Sequence, residues 1–189
     1  MGTRRSGYHH GDLRNVLEAA ALELVAERGA HGFTMAEASR RAGVSVAAPF
    51  KHFANREALL VALVTKAHRE QARRFADAVG AAEDPVEQLA EFAAAYVQFT
   101  VDEPALSELI FGAGIDKSAY PALAEAGEKV LAVLLAPAQG LRPDDPLTLV
   151  HTIGALAHGC AAFLRERVFD TSDAAMASAR AAARAVASC

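Results

Sequence analysis

The chain of 189 residues is long enough for one large domain or two small ones, each with a real core. It is 52% hydrophobic but only 6% aromatic, with no Trp. Its Ala bias and scarcity of β-branched and aromatic residues favour helices over a sandwich or barrel. Residues 1–75 carry twelve Lys and Arg against seven Asp and Glu, a net +5; the remainder carries seven against sixteen, a net −9 within the overall −4. A basic head on an acidic body fits a DNA-binding module joined to a domain that avoids DNA, and opposes an architectural protein that coats DNA with charge throughout.

A basic arm with Arg4 and Arg5 comes first, after which Leu13, Val16, Leu17, Ala20 and Leu24 repeat at helical spacing, with Asp12 as N-cap and Gly29 as terminator. Thr34-Met35-Ala36-Glu37 is a reciprocal capping box, predicting a second helix to Ala42. Gly43 and Val44 break it, Ser45 offers the next capping oxygen, and a short third helix is predicted to about Phe53. Pro49 removes an N–H about four residues into that helix and crowds the Ser45 carbonyl, so the helix should be short or irregular. Asn55 caps a long fourth helix to about Val79, and 80–84 reads as a hinge. In the acidic half Asp84-Pro85 with Glu87 opens a helix over 85–101. A short helix follows Pro104, another spans 121–136, Asp145-Pro146 opens an apolar run to Val168, and an Ala-rich helix spans 172–187.

The order helix, Gly-containing turn, helix within 34–53 is that of a DNA-reading helix-turn-helix. Gly43 can adopt the backbone of the sharp reversal, Val44 plugs the angle between the helices, and Ser45 satisfies free N–H groups. From Leu13 to Leu60 the chain resembles the N-terminal domain of TetR/AcrR-type regulators. The matching elements are the helix ending at Gly29, Gly32-Phe33-Thr34, Ala42-Gly43-Val44-Ser45, Phe50-Lys51-His52-Phe53 and Asn55-Arg56-Glu57-Ala58-Leu59-Leu60. The stretch from Tyr8 to Leu13 and Ala47-Ala48-Pro49 are similar to a subgroup whose C-terminal domain carries Trp-His-Gly; Ala157-His158-Gly159 stands in that place here.

The resemblance implies an all-α protein with a three-helix, helix-turn-helix DNA-binding head on residues 1–55. The fourth helix, 55–79, links it to a ligand-binding and dimerisation domain on 80–189. It also implies a homodimer through the last two helices, a palindromic double-stranded operator and, by the family's majority behaviour, repression relieved by a ligand. The third helix would enter the major groove with Ser45, Val46, Ala47, Ala48, Phe50, Lys51 and His52. Lys51 can donate to guanine or phosphate, while Val46, Ala47 and Ala48 offer only apolar contact, for example to a thymine methyl. Thr34, Arg40, Arg41, Arg56, Arg4 and Arg5 would contact phosphate or the minor groove. Phe50 departs from the family pattern, which often has a Tyr whose hydroxyl reaches phosphate.

A small apolar ligand suits the Phe- and Leu-rich segments, with Phe92, Tyr96, Phe99, Phe111, His151 and His158 as candidate pocket residues, although ordinary core is the alternative for at least half of the aromatics. His151 and His158 stand seven apart with no carboxylate near in sequence, which opposes a metal site. Arg69, Arg73 and Arg74 on the fourth helix read as a solvated face rather than a DNA-facing stripe. No triad, carboxylate pair or phosphate loop is legible, so no catalysis, cofactor or metal is expected. The rival readings are a small helical enzyme with a DNA-binding head, and a ligand-independent regulator or activator. Two cysteines make no disulfide framework, no run approaches the roughly 20 apolar residues of a membrane span, and the N-terminus lacks an apolar signal core, so a cytoplasmic protein is expected.

Overall fold

Local signals set most of the helix ends. The computed structural model describes residues 10–189, with side chains from residue 13 onward, so Arg4 and Arg5 lie outside the described residues. Among the described residues the helices are α1 (His10–Arg28), α2 (Met35–Arg41), α3 (Arg56–Gly80), α4 (Pro85–Asp102), α5 (Pro104–Gly112), α6 (Pro121–Leu141), α7 (Pro146–Arg165) and α8 (Ser172–Ala187), with 3-10 turns at Pro49–Lys51 and Lys117–Ala119 and no strand. The protein is all-α.

Side-chain oxygens cap five of these helices, Thr34 at the start of α2 being one. Asn55 accepts from the Ala58 N–H at 2.8 Å, Asp84 from Val86 and Glu87 at 2.9 and 3.1 Å, Asp145 from Thr148 at 3.3 Å, and Thr171 from Ala174 at 3.2 Å. Each such cap contributes about 1 kcal/mol. Three ends differ from expectation. Asp12 is not an N-cap, because α1 already runs from His10. α6 continues past Pro137, which is buried inside it and forfeits one backbone bond without stopping the turns after it. α7 stops at Arg165, where Arg167 takes the left-handed conformation (φ 59°) and the N–H groups of Arg167 and Val168 turn back to Leu164 and Phe163 at 3.0 and 2.8 Å.

α4 lies at the centre, packed against α3, α5, α6, α7 and α8. Phe75 of α3 meets Phe92 edge-on at 5.0 Å and lies 6.1 and 6.3 Å from Tyr96 and Phe99. α4 also packs against α8, whose Ala175, Ala179 and Ala183, spaced four apart, are fully buried. That close approach is flanked by paired hydrogen bonds from Arg180 to Glu91 (2.8 and 2.9 Å) and from Arg184 to Glu87 (both 2.7 Å). α7 corrects one expectation: it is long and apolar enough to cross a membrane, and only 28% of its apolar window is buried within the chain.

Two arginines of α3, Arg73 and Arg74, pair with carboxylates. Arg73 holds Glu70 and Asp77, while Arg74 holds Glu70 and Asp102 at 2.7 Å and Glu103 at 3.3 Å. Hydrogen bonds from Arg73 and Arg74 hold the Glu70 carboxyl down to about 2, from an ordinary 4.5. A depressed carboxyl stabilises the fold fully above its unfolded value, so this contribution should persist above pH 4.5 and fade as pH falls toward 2. Carboxyl-carbon NMR should place the Glu70 midpoint near 2; a midpoint at the ordinary value would mean the arginines do not hold it in solution.

Candidate nucleic-acid interface and regulatory cavity

The capping box at the start of α2 is complete: Thr34 Oγ1 accepts from the Glu37 N–H at 3.2 Å, and Glu37 Oε2 accepts from the Thr34 N–H at 2.8 Å. At the other end Gly43 sits at φ 69°, its N–H reaching the Arg40 carbonyl at 3.1 Å and that of Val44 the Ser39 carbonyl at 3.0 Å. This closure satisfies two orphan carbonyls and needs a left-handed residue, which glycine supplies without a Cβ clash.

The segment after this turn is not a third α-helix. Pro49 has no N–H to give the Ser45 carbonyl, which accepts from Ala48 instead at 3.0 Å, and a 3-10 turn over Pro49–Lys51 replaces the helix. The expected Ser45 cap is also absent, since the 3-10 turn has no side-chain cap. Pro49 and Phe53 are buried, anchoring the segment on its inner side. Ser45, Val46, Ala47, Phe50 and Lys51 are exposed, with Val46 at 51% and Phe50 at 55%, and Ala48 and His52 are half-buried. A large aromatic side chain more than half exposed beside a lysine suits contact with a partner rather than core packing.

The cations sort less simply than the sequence implies. Arg40 is exposed beside the turn. Arg41 reaches back to α1, where its guanidinium forks onto Glu27 and lies 3.6 Å from Glu23, so the expectation of a phosphate contact meets two competing carboxylates. Arg56 is turned inward: half-buried, it donates to the carbonyls of Phe33 (2.9 Å) and Ala30 and stacks 4.7 Å over the Phe33 ring. Its donors are used in holding the loop between α1 and α2, and those carbonyls compete with the expected phosphate contact. The Thr34 hydroxyl likewise both accepts and donates within its capping box.

A second feature lies between α1, α4, α5 and α7. It is a cavity of about 730 Å³, open to solvent, with walls that include Ala26, Val101, Phe111 and Leu164 and polar groups that include Glu108 and His158. Of the predicted pocket residues, Phe111 and His158 line it, their rings 4.9 Å apart. Phe92 and Phe99 do not: both are buried in the aromatic cluster around Phe75. His151 is exposed on α7 away from the cavity wall. Tyr96 stands behind His158, its hydroxyl 2.8 Å from Nδ1.

Burial pushes the Tyr96 phenol up to about 12, so it keeps its proton. Its hydrogen bond to His158 Nδ1 orients the imidazole at the cavity wall. Sequence reasoning missed Glu108, which lines the cavity and accepts from the Ala30 N–H at 3.1 Å, because no local pattern marks a partner so distant along the chain. Among the described residues no group of three His, Cys, Asp or Glu side chains is placed to hold a metal ion.

Residues 17–63 match the family model of bacterial regulatory proteins of the tetR family, and residues 89–186 match a tetracyclin repressor-like C-terminal domain. Among solved structures the chain is similar to a protein of unknown function from Rhodococcus sp. RHA1, at 30% identity over 96% of this chain and 98% of that one, with a TM-score of 0.78. It also shares its fold with a tetR-family bacterial regulatory protein from Rhodococcus RHA1 (17% identity, 92% and 96% covered, TM-score 0.79). The fatty acid degradation regulator FadR from Bacillus halodurans has the same fold (14% identity, 92% and 97% covered, TM-score 0.71). No curated protein sequence matches the chain.

Proposed function

Because the chain belongs to the TetR family of bacterial regulatory proteins, DNA-binding regulators of transcription, we propose that it is a ligand-responsive repressor, a cytoplasmic homodimer acting on a palindromic operator. The observation that carries the DNA reading is the outward group Val46, Ala47, Phe50 and Lys51 at the rigid Gly43 turn, with Arg40 beside it. Val46, Ala47 and Phe50 supply apolar contact to base edges, and Lys51 and Arg40 supply charge. With Arg41 and Arg56 already engaged, phosphate affinity rests on fewer cations than the residue count suggests.

α7 supports the dimer. Leu147 and Phe163 near its two ends are 46% and 53% exposed, Val168 just beyond it is 63% exposed, and a Cβ placed on Gly154 or Gly159 would meet nothing within 4 Å. A mostly uncovered apolar helix with small residues facing outward suits close packing against its copy. Two heads would then meet half-sites about 34 Å apart, or a multiple of that. The cavity supports ligand response: its apolar walls would hold an apolar body, with His158 as polar anchor, and a ligand preferring one head separation would shift DNA affinity. Relief of about 100-fold needs a differential affinity of only about 2.8 kcal/mol.

Selection from random duplex DNA at two salt concentrations tests the reading. A palindrome should be enriched, and Lys51→Ala should weaken binding and lower the salt slope by about 1 if the lysine meets phosphate. Binding without sequence preference that collapses with salt would remove the operator reading.

A further inference from the structure

The loop after α1 is gripped from two sides. Arg56 holds the carbonyls of Ala30 and Phe33, and from α5 Glu108 Oε1 accepts the Ala30 N–H at 3.1 Å. Gly29 (φ 78°) makes room for that carboxylate, since a Cβ there would stand 2.9 Å from Oε1. Glu108 also lines the cavity, together with Ala26 of α1. One carboxylate thus faces the cavity and holds the loop that leads into the helix-turn-helix.

Charge decides what it would recognise. Arg165, the one basic Lys or Arg side chain of the wall, lies against Glu166 at 3.7 Å with both side chains 71% exposed. Glu108 forms no ion pair among the described residues, and its one hydrogen bond there is to a neutral amide. A carboxylate bordering apolar walls gains more from a cation than from a neutral donor.

We propose that the cavity takes an amphipathic ligand with an apolar body and a protonated amine, and that the amine engages Glu108 in competition with the Ala30 N–H, loosening the loop of the DNA-binding head. This rests on the regulatory reading of the cavity. The ligand's body lies along Val101, Phe111 and Leu164, and its occupancy reaches the head through a single bond.

Calorimetry with the full chain and three monomeric probes of equal chain length, dodecylammonium, dodecanoate and dodecyl maltoside, tests the chemistry. The cation should bind at least tenfold more tightly than the other two. Glu108→Gln, which keeps an acceptor for Ala30 but loses the charge, should weaken it at least tenfold, whereas Glu108→Asp should retain the preference for the cation. NMR amide exchange should show the Ala30 N–H exchanging at least fivefold faster when the cation saturates the protein.

Tighter binding of dodecanoate or maltoside, or equal cation binding by E108Q, overturns the inference and leaves the cavity a ligand site. Cation binding with Ala30 exchange unchanged overturns the coupling. Binding of none of the three overturns the inference together with the reading of the cavity as a site for chain-like apolar ligands, while operator selection still tests the DNA reading separately.

Discussion

Arg56→Ala should lower the unfolding free energy by about 3 kcal/mol, since hydrogen bonds to a charged group contribute about 1.5–3 kcal/mol each. The guanidinium donates to two carbonyls of the 29–34 loop and stacks on Phe33, itself 4% exposed, so truncation removes both bonds and uncovers the ring. Water entering the gap restores part of the loss, which is why the expected figure stays below the sum of the parts. Arg56→Lys should recover little, because an ammonium cannot present the planar fork that reaches both carbonyls and stacks on the ring. Urea unfolding measures the effect. A loss under about 1 kcal/mol would mean that Arg56 is a surface cation after all, and the phosphate role would return.

Ala179→Leu should cost a similar amount, about 3 kcal/mol, by overpacking rather than by a lost bond. Ala179 is fully buried between Ala175 and Ala183 on α8, which packs on α4 and α7, and α4 itself buries Ala90, Ala93 and Ala94. Three added heavy atoms have no void to occupy in an interior packed to crystal-like density. The helices must separate, which also strains the Arg180–Glu91 and Arg184–Glu87 pairs along the seam. Thermal unfolding would register a clear drop in midpoint; an unchanged midpoint would mean that α8 does not pack closely on α4 in solution. The same seam qualifies the expectation for the last two helices, since the alanine face of α8 is already used within the chain, leaving its other faces and the outward side of α7 for a second subunit.

Much of the fold was legible in the sequence. The capping box at Thr34, Asn55, and the Asp-Pro pairs at Asp84 and Asp145 each mark a helix start that the structure has. The third helix shows where that reasoning reached its limit. Pro49 signalled irregularity, but whether the turns recover after it depends on how the buried Pro49 and Phe53 seat against the head. The candidate sites divided in the same way. Exposure of Phe50 beside the buried Phe53 is a tertiary result. So is the withdrawal of Phe92 and Phe99 into the cluster around Phe75, because all three lie on α3 and α4 faces whose periodicity fits either a core or a pocket wall.

By itself the sequence determined the helical class, most helix boundaries, the basic head on an acidic body and the family, because caps, prolines, glycines and apolar periodicity act within one or two turns of chain. Only the tertiary structure decided which polar side chains remain available. Arg41 meets Glu27 across 14 residues, Arg56 meets Phe33 across 23, and Glu108 meets Ala30 across 78. Each pairing is settled by how α1, α2, α3 and α5 pack, and no local pattern encodes a partner chosen by the meeting of distant helices.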